Sequence, residues 1–125
     1  MKKELEQYFG CEVKIAEYKN KLPLPIFMTM RDIVMVEIYG VIFAIIDVMK
    51  ETELSVAAMK KQKAKYEEAL QCPAAYEVAL NSVSMRNALV KSGVPFVDLP
   101  RNVFLPFMGI VLQDVYRKRL VKADK

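Results

Sequence analysis

The sequence predicts an α/β (or α+β) domain: a mixed sheet of about five strands in the order β-β-α-β-α-β-β, with helices packed on it. Three observations carry that reading. Ile33 to Val48 is dense in isoleucine and valine, with Gly40 placed for a tight reversal, the pattern of a hairpin. Leu54 to Leu70 runs without proline or glycine and repeats its apolar residues at helical spacing. Ser92 to Gly109 reads as a helix stop, a short apolar strand, a polar turn and a second apolar strand.

Taken in order, residues 2 to 9 suit a short helix and Val13 to Tyr18 a possible strand. Leu22-Pro23-Leu24-Pro25 then excludes regular helix, because each proline removes a donor and pushes its predecessor towards extended geometry. A two-residue turn at Tyr39-Gly40 pairs position 38 with 41, 37 with 42, 35 with 44 and 33 with 46. Glu37 then shares a face with Ile33, Met35, Ile42, Ala44 and Ile46, while Val34, Val36, Ile38, Val41, Phe43 and Ile45 form the other. Both faces are apolar, so these are strands covered on both sides. Thr52 and Ser55 are candidate N-caps for the helix that follows. On its wheel Val56, Met59, Tyr66 and Leu70 form a core arc, Lys60, Lys61 and Lys65 a solvated back, and Lys63 falls within the arc. Cys72-Pro73 closes that helix, and Ala74 to Leu80 reads as a strand. Asn81 or Ser82 caps a further helix to Lys91-Ser92, with Gly93 as its stop. Residues 113–125 read as a basic terminal helix or the start of a linker.

The chain of 125 residues fits a single domain, 1–125. Apolar residues make up 54% and charged residues 27%, which suits a folded domain and not a disordered one. The longest uncharged apolar run, Ile38 to Ile46, is far short of the roughly 20 residues that span a bilayer. Met1-Lys2-Lys3-Glu4-Leu5-Glu6 is acidic where a signal peptide is apolar, so no membrane association and a cytoplasmic location are expected. Arg117, Lys118, Arg119, Lys122 and Lys125 against Asp124 leave the last ten residues at +4, the net charge of the whole chain. The basic balance therefore belongs to the tail, not to the body.

Histidine is absent, which removes the commonest metal ligand and the commonest general base near neutral pH. Cys11 and Cys72 lie in no CxxC or Cys/His cluster and read as free thiols. Gly40, Gly93 and Gly109 are isolated, so no phosphate-cradling loop is expected. The expectation is no enzyme, no cofactor, no metal and no catalytic residue. Glu37 is the exception to weigh: the hairpin register makes it a candidate buried acid, either a base or a carboxylate paired with a lysine or arginine near the sheet end. Asp32, Glu37 and Asp47 invite comparison with metal-dependent nucleases, which hold Mg²⁺ on a strand hairpin, and keep a restriction-endonuclease-like arrangement in view. Neither Glu37-Ile38-Tyr39 nor Asp47-Val48-Met49 supplies the lysine two positions on that such sites carry. Lys60, Lys61 and Lys65, with Arg117, Lys118 and Arg119 in the tail, are candidate nucleic-acid contacts, although no aromatic residues are interleaved for base stacking. Met28, Met30, Phe104 and Phe107 are candidates for a self-association surface.

Tyr8-Phe9-Gly10-Cys11-Glu12-Val13, Leu22-Pro23-Leu24 and Glu37-Ile38-Tyr39-Gly40-Val41-Ile42-Phe43 carry a further reading together with three later segments. These are Lys60-Lys61-Gln62, Ser92-Gly93-Val94-Pro95-Phe96-Val97 and Val103-Phe104-Leu105-Pro106-Phe107-Met108-Gly109. In this order they resemble the N-terminal domain of bacterial MarR-type (multiple antibiotic resistance regulator type) transcriptional regulators. The resemblance implies an α/β domain with a regulatory, ligand-sensing or assembly role, covalently linked to a winged-helix module that reads DNA. It implies self-association or that linked module as partner, DNA contact only indirectly, an unspecified small-molecule ligand, and no catalytic residues.

Overall fold

The structure is a computed structural model that describes residues 1–18, 30–80, 82–99 and 102–109. The elements run α1 (Lys2–Phe9), β1 (Lys14–Glu17), β2 (Ile33–Ile38), β3 (Val41–Asp47), α2 (Val56–Leu70), β4 (Ala74–Glu77), α3 (Val83–Lys91), β5 (Phe96–Asp98) and β6 (Asn102–Phe104). A single 3₁₀ turn, Pro106–Met108, follows. Among the described residues six strands, not about five, form one mixed sheet in the spatial order β1-β2-β3-β4-β5-β6. The difference is β1, the possible strand at the start of the chain, which pairs antiparallel with β2 from Lys14 opposite Glu37 to Glu17 opposite Val34. Strands β3, β4 and β5 are mutually parallel, and β1–β2–β3 and β5–β6 are antiparallel. The α/β class follows from those two helix-linked parallel steps.

The hairpin takes the register that the sequence predicts, Ile33 with Ile46, Met35 with Ala44, Glu37 with Ile42 and Ile38 with Val41. Its turn places Tyr39 at φ 52° and Gly40 at φ 80°, both left-handed, as a hairpin of this length demands. Tyrosine is a poor residue for that conformation, and a tertiary bond compensates: the Tyr39 hydroxyl donates to the Phe9 carbonyl at 2.8 Å, tying the turn to the end of α1.

Helix α2 starts one residue after Ser55, whose side chain accepts from the Ala58 amide at 3.1 Å. Ser82 caps α3 in the same way through the Met85 amide at 3.1 Å. Strand β4 ends at Glu77, short of the Leu80 expected, because the chain must turn to bring Ser82 into its cap; Val78 still donates to the Val97 carbonyl at 3.0 Å. Lys63, the lysine within the apolar arc, reaches Glu67 one turn on at 2.9 Å, and Glu67 also accepts from the Ala74 amide at 3.2 Å, joining α2 to β4.

The sheet carries a core on each face. On one, Met59 and Tyr66 of α2 and Leu89 of α3 pack on Ile33, Ala44, Ile46, Ala74, Tyr76 and Phe96. On the other, Leu5 and Phe9 of α1 and Met108 of the 3₁₀ turn pack on Val36, Ile38, Phe43, Ile45, Ala75 and Val97. Covering both faces stabilises the fold by roughly 1.5–3 kcal/mol for each large apolar side chain removed from water. The Tyr76 hydroxyl, enclosed in the first core, donates to the Met59 carbonyl at 2.7 Å, so its burial leaves no orphaned polar group. No helix among the described residues is long and apolar enough to cross a membrane.

Candidate functional site

Open α/β sheets bind ligands at the carboxyl ends of their parallel strands, where loops and helix N-termini converge. Here β3 ends at Asp47 and β4 at Glu77, directly opposite each other in register. Asp32, just before β2, joins them, since its carbonyl accepts from the Asp47 amide at 2.9 Å. The Asp47 carboxylate accepts from the Met49 amide at 2.9 Å and starts the loop into α2. Burial, and then the neighbouring Asp47 charge, push the Glu77 carboxyl above its usual pKa.

Arg31 dominates this end of the sheet. Its Nε and Nη2 donate to the two oxygens of Glu51 at 2.7 and 2.6 Å, a bidentate pair. Its Nη1 donates to Gln62 Oε1 at 2.6 Å and to the Tyr66 hydroxyl at 3.2 Å. One guanidinium thus pins the segment leading into β2, the β3–α2 loop and the middle of α2 together. Burial works against its charge, but the bonds to Glu51 and Tyr66 outweigh that and hold its pKa above the ordinary arginine value. Tyr66 is pushed up, by burial first and against the opposing effect of Arg31. Tyr76 is pushed up by burial as well.

Two openings flank the clamp. A cavity of about 500 Å³ is lined by Met30, Arg31, Asp32, Asp47, Lys50 and Glu51. A second, of about 450 Å³, lies between the first turns of α2 and α3, with Val48, Leu54, Val56, Met59, Val78 and Met85 among its lining residues. Thr52, Ser55 and Ser84 add hydroxyls there, and among the described residues Glu51 is the charged side chain on that lining.

The residues singled out from sequence are dispersed. Glu37 is not a buried acid: its side chain is 37% exposed and lies 3.7 Å from the Lys14 ammonium. The reason is that the helical cover on this face reaches Ala44 and stops, leaving Ile42, the cross-strand neighbour of Glu37, 51% exposed. The Asp32, Glu37 and Asp47 set is divided, with Glu37 about 15 Å along the hairpin from the other two. Among the described residues no group of three or more acidic or cysteine side chains is arranged to hold a metal ion. Lys60, Lys61 and Lys65 are exposed on the outer side of α2. Arg117, Lys118, Arg119 and Met28 lie outside the described residues. Met30 is exposed, but Phe104 and Phe107 are half-buried packing residues, their rings 5.8 and 5.0 Å from Phe96 and Phe43. Cys11 and Cys72 are half-buried free thiols, and burial pushes the Cys72 thiol up, which keeps it protonated and unreactive at neutral pH.

Sequence reasoning missed Arg31, Glu51, Gln62 and Glu77. Tyr66 was visible as an apolar-arc residue, yet nothing in spacing links Arg31 to groups 20, 31 and 35 positions away. Compared with protein-family models, curated proteins and solved structures, the chain matches none.

Proposed function

We infer that this chain is a non-enzymatic α/β domain of a bacterial transcription regulator, working by ligand sensing or assembly and linked to a DNA-reading winged-helix module. One observation carries the non-catalytic part: the conspicuous charged group at the ligand-binding end of the sheet, Arg31, is engaged by Glu51, Gln62 and Tyr66 as a structural clamp. Beside it lies a cleft of apolar side chains and hydroxyls, groups that bind a molecule more readily than they transform one. The resemblance to MarR-type regulators supplies the regulatory part.

The test is genetic and chemical together. Deleting the gene should change the transcript levels of a small set of promoters, and a chain with Asp47→Asn and Glu77→Gln should restore them as fully as the parent. An unchanged transcript profile would remove the regulator reading. Failure of the folded double variant to complement would remove the non-enzymatic one.

A second reading, a nuclease-like fold, draws on Asp47 and Glu77 ending the paired strands β3 and β4 side by side. It requires Mg²⁺-dependent DNA cleavage by the purified chain that disappears with Asp47→Asn. Direct nucleic-acid binding through the α2 lysines requires salt-dependent affinity that is lost on charge reversal at Lys60, Lys61 and Lys65.

A further inference from the structure

We propose that the cleft of about 450 Å³ between the first turns of α2 and α3 is a binding site for a small, mainly apolar organic molecule with one anionic head group, such as a short acyl chain ending in a carboxylate. The proposal rests on the sensing reading for its biological meaning, but its chemistry is argued from the cleft alone.

The position comes first. The cleft sits at the carboxyl ends of the adjacent parallel strands β3 and β4, between the first turns of the two helices that leave them and pack on the same face of the sheet. Its volume lies within the range of small-molecule sites, roughly 300–1,000 Å³.

The walls decide the body of the ligand. Met59 and Val78 form a buried floor, while Leu54, Val56 and Met85 stand half-exposed around it. Apolar surface left half in water around a concavity is surface that an apolar ligand would cover, at roughly 25 cal/mol per Å². Two of the five are methionines, whose unbranched side chains adapt to a guest.

The rim decides the head group. Glu51, the charged side chain on the lining, is neutralised by its two hydrogen bonds to Arg31 at 2.6 and 2.7 Å, so it does not repel an anion as a lone carboxylate would. Helices α2 and α3 both point their N-termini at the cleft, and neither has an acidic residue in its first turn. Their positive ends are uncompensated from within. Ser55 and Ser84 on the same rim bring hydroxyls that can donate. Among the described lining residues, an ammonium head would meet two positive helix ends and, as its one charged acceptor, the Glu51 that Arg31 already holds.

Titration of the full chain with octanoate and, separately, with octylammonium tests this, read by melting temperature and by amide chemical shifts. Octanoate should raise the melting temperature saturably and shift the amides of Ser55 to Met59 and of Val78, Ala79, Ser84 and Met85, whereas octylammonium should do neither. Ser84→Glu places a carboxylate on the rim where the helix tolerates it well, and should weaken octanoate about tenfold, equivalent to about 1.4 kcal/mol. Ser84→Trp should fill the mouth and abolish the shifts while the cooperative melt persists. Absence of octanoate binding, shifts centred elsewhere, equal response to octylammonium, or full affinity in the folded Ser84→Glu chain would each overturn the proposal. Binding without transcriptional consequence would retain this site and remove the regulator reading; a transcriptional role without binding would do the reverse.

Discussion

Arg31 shows what becomes of a charge when its contacts with Glu51, Gln62 and Tyr66 are fastenings. Its side chain is only 9% exposed, and its loss would leave the Tyr66 hydroxyl and the Gln62 amide without their guanidinium partner at a half-buried seam. Arg31→Ala is therefore expected to lower the unfolding free energy by about 2 kcal/mol, less than for a fully buried pair because Glu51 is 38% exposed and can be resolvated. Urea denaturation reads that change, and a loss below about 0.5 kcal/mol would mean that the clamp is not a stabilising one. Glu77 works in the opposite direction. Its folded pKa lies above the ordinary 4.5, for burial first and Asp47 second, so the folded state holds the proton more tightly than the unfolded chain does. Its ionisation costs stability as pH rises through the folded pKa, and that cost disappears below 4.5, where both states are protonated. Glu77→Gln should thus unfold at higher urea than the parent at pH 7, with the gain shrinking to nothing below the ordinary carboxylate value. A gain that does not depend on pH would assign the effect to packing instead of charge.

The hairpin is the element that the sequence made most legible, and the reason is local. A two-residue turn at Tyr39-Gly40 fixes the register by itself, so every pair from Ile38–Val41 back to Ile33–Ile46 follows. The helix caps were legible to within two candidates each, Thr52 or Ser55 and Asn81 or Ser82, because a hydroxyl and an amide three residues later are a local partnership; the bonds fall to Ser55 and Ser82. What could not be read was how far the helices extend over the sheet. That depends on where α2 and α3 come to rest, and it left Glu37 and Ile42 uncovered although their strand neighbours Met35 and Ala44 are packed. The Arg31 clamp was hidden for a related reason, since pairing between distant segments has no period along the chain. The turn also yields an expected outcome of its own. Gly40 sits at φ 80° with open space where a Cβ would go, so Gly40→Ala meets only backbone strain and should cost roughly 1 kcal/mol. Tyr39→Phe, which keeps the backbone and deletes the bond to the Phe9 carbonyl, should cost about as much. Melting curves of the two variants separate turn strain from the tie to α1: if Tyr39→Phe melts with the parent, the hydroxyl does not anchor the turn.

At the scale of the whole molecule, the sheet is a shared wall between two cores, and β3 is the strand that serves both. Phe43 and Ile45 belong to the core under α1, and Ala44 and Ile46 to the core under α2 and α3. Neither face can loosen without moving the backbone that positions the other, because interiors are close-packed and transmit displacement across a strand. The two faces should therefore unfold as one cooperative unit, and the cleft at the tips of β3 and β4 should be rigid because it is anchored from both sides. Phe43→Ala tests this, since Phe43 is fully buried and its ring packs 5.0 Å from Phe107 on the α1 side. The substitution should cost roughly 3–5 kcal/mol. In native-state hydrogen exchange it should lower the protection of amides in α2, on the far face, by the same free energy as those of the strand that carries it. If protection fell in α1 and β3 while α2 kept its parental value, the two cores would be independent units, and the sheet would be a partition between them and not their common support.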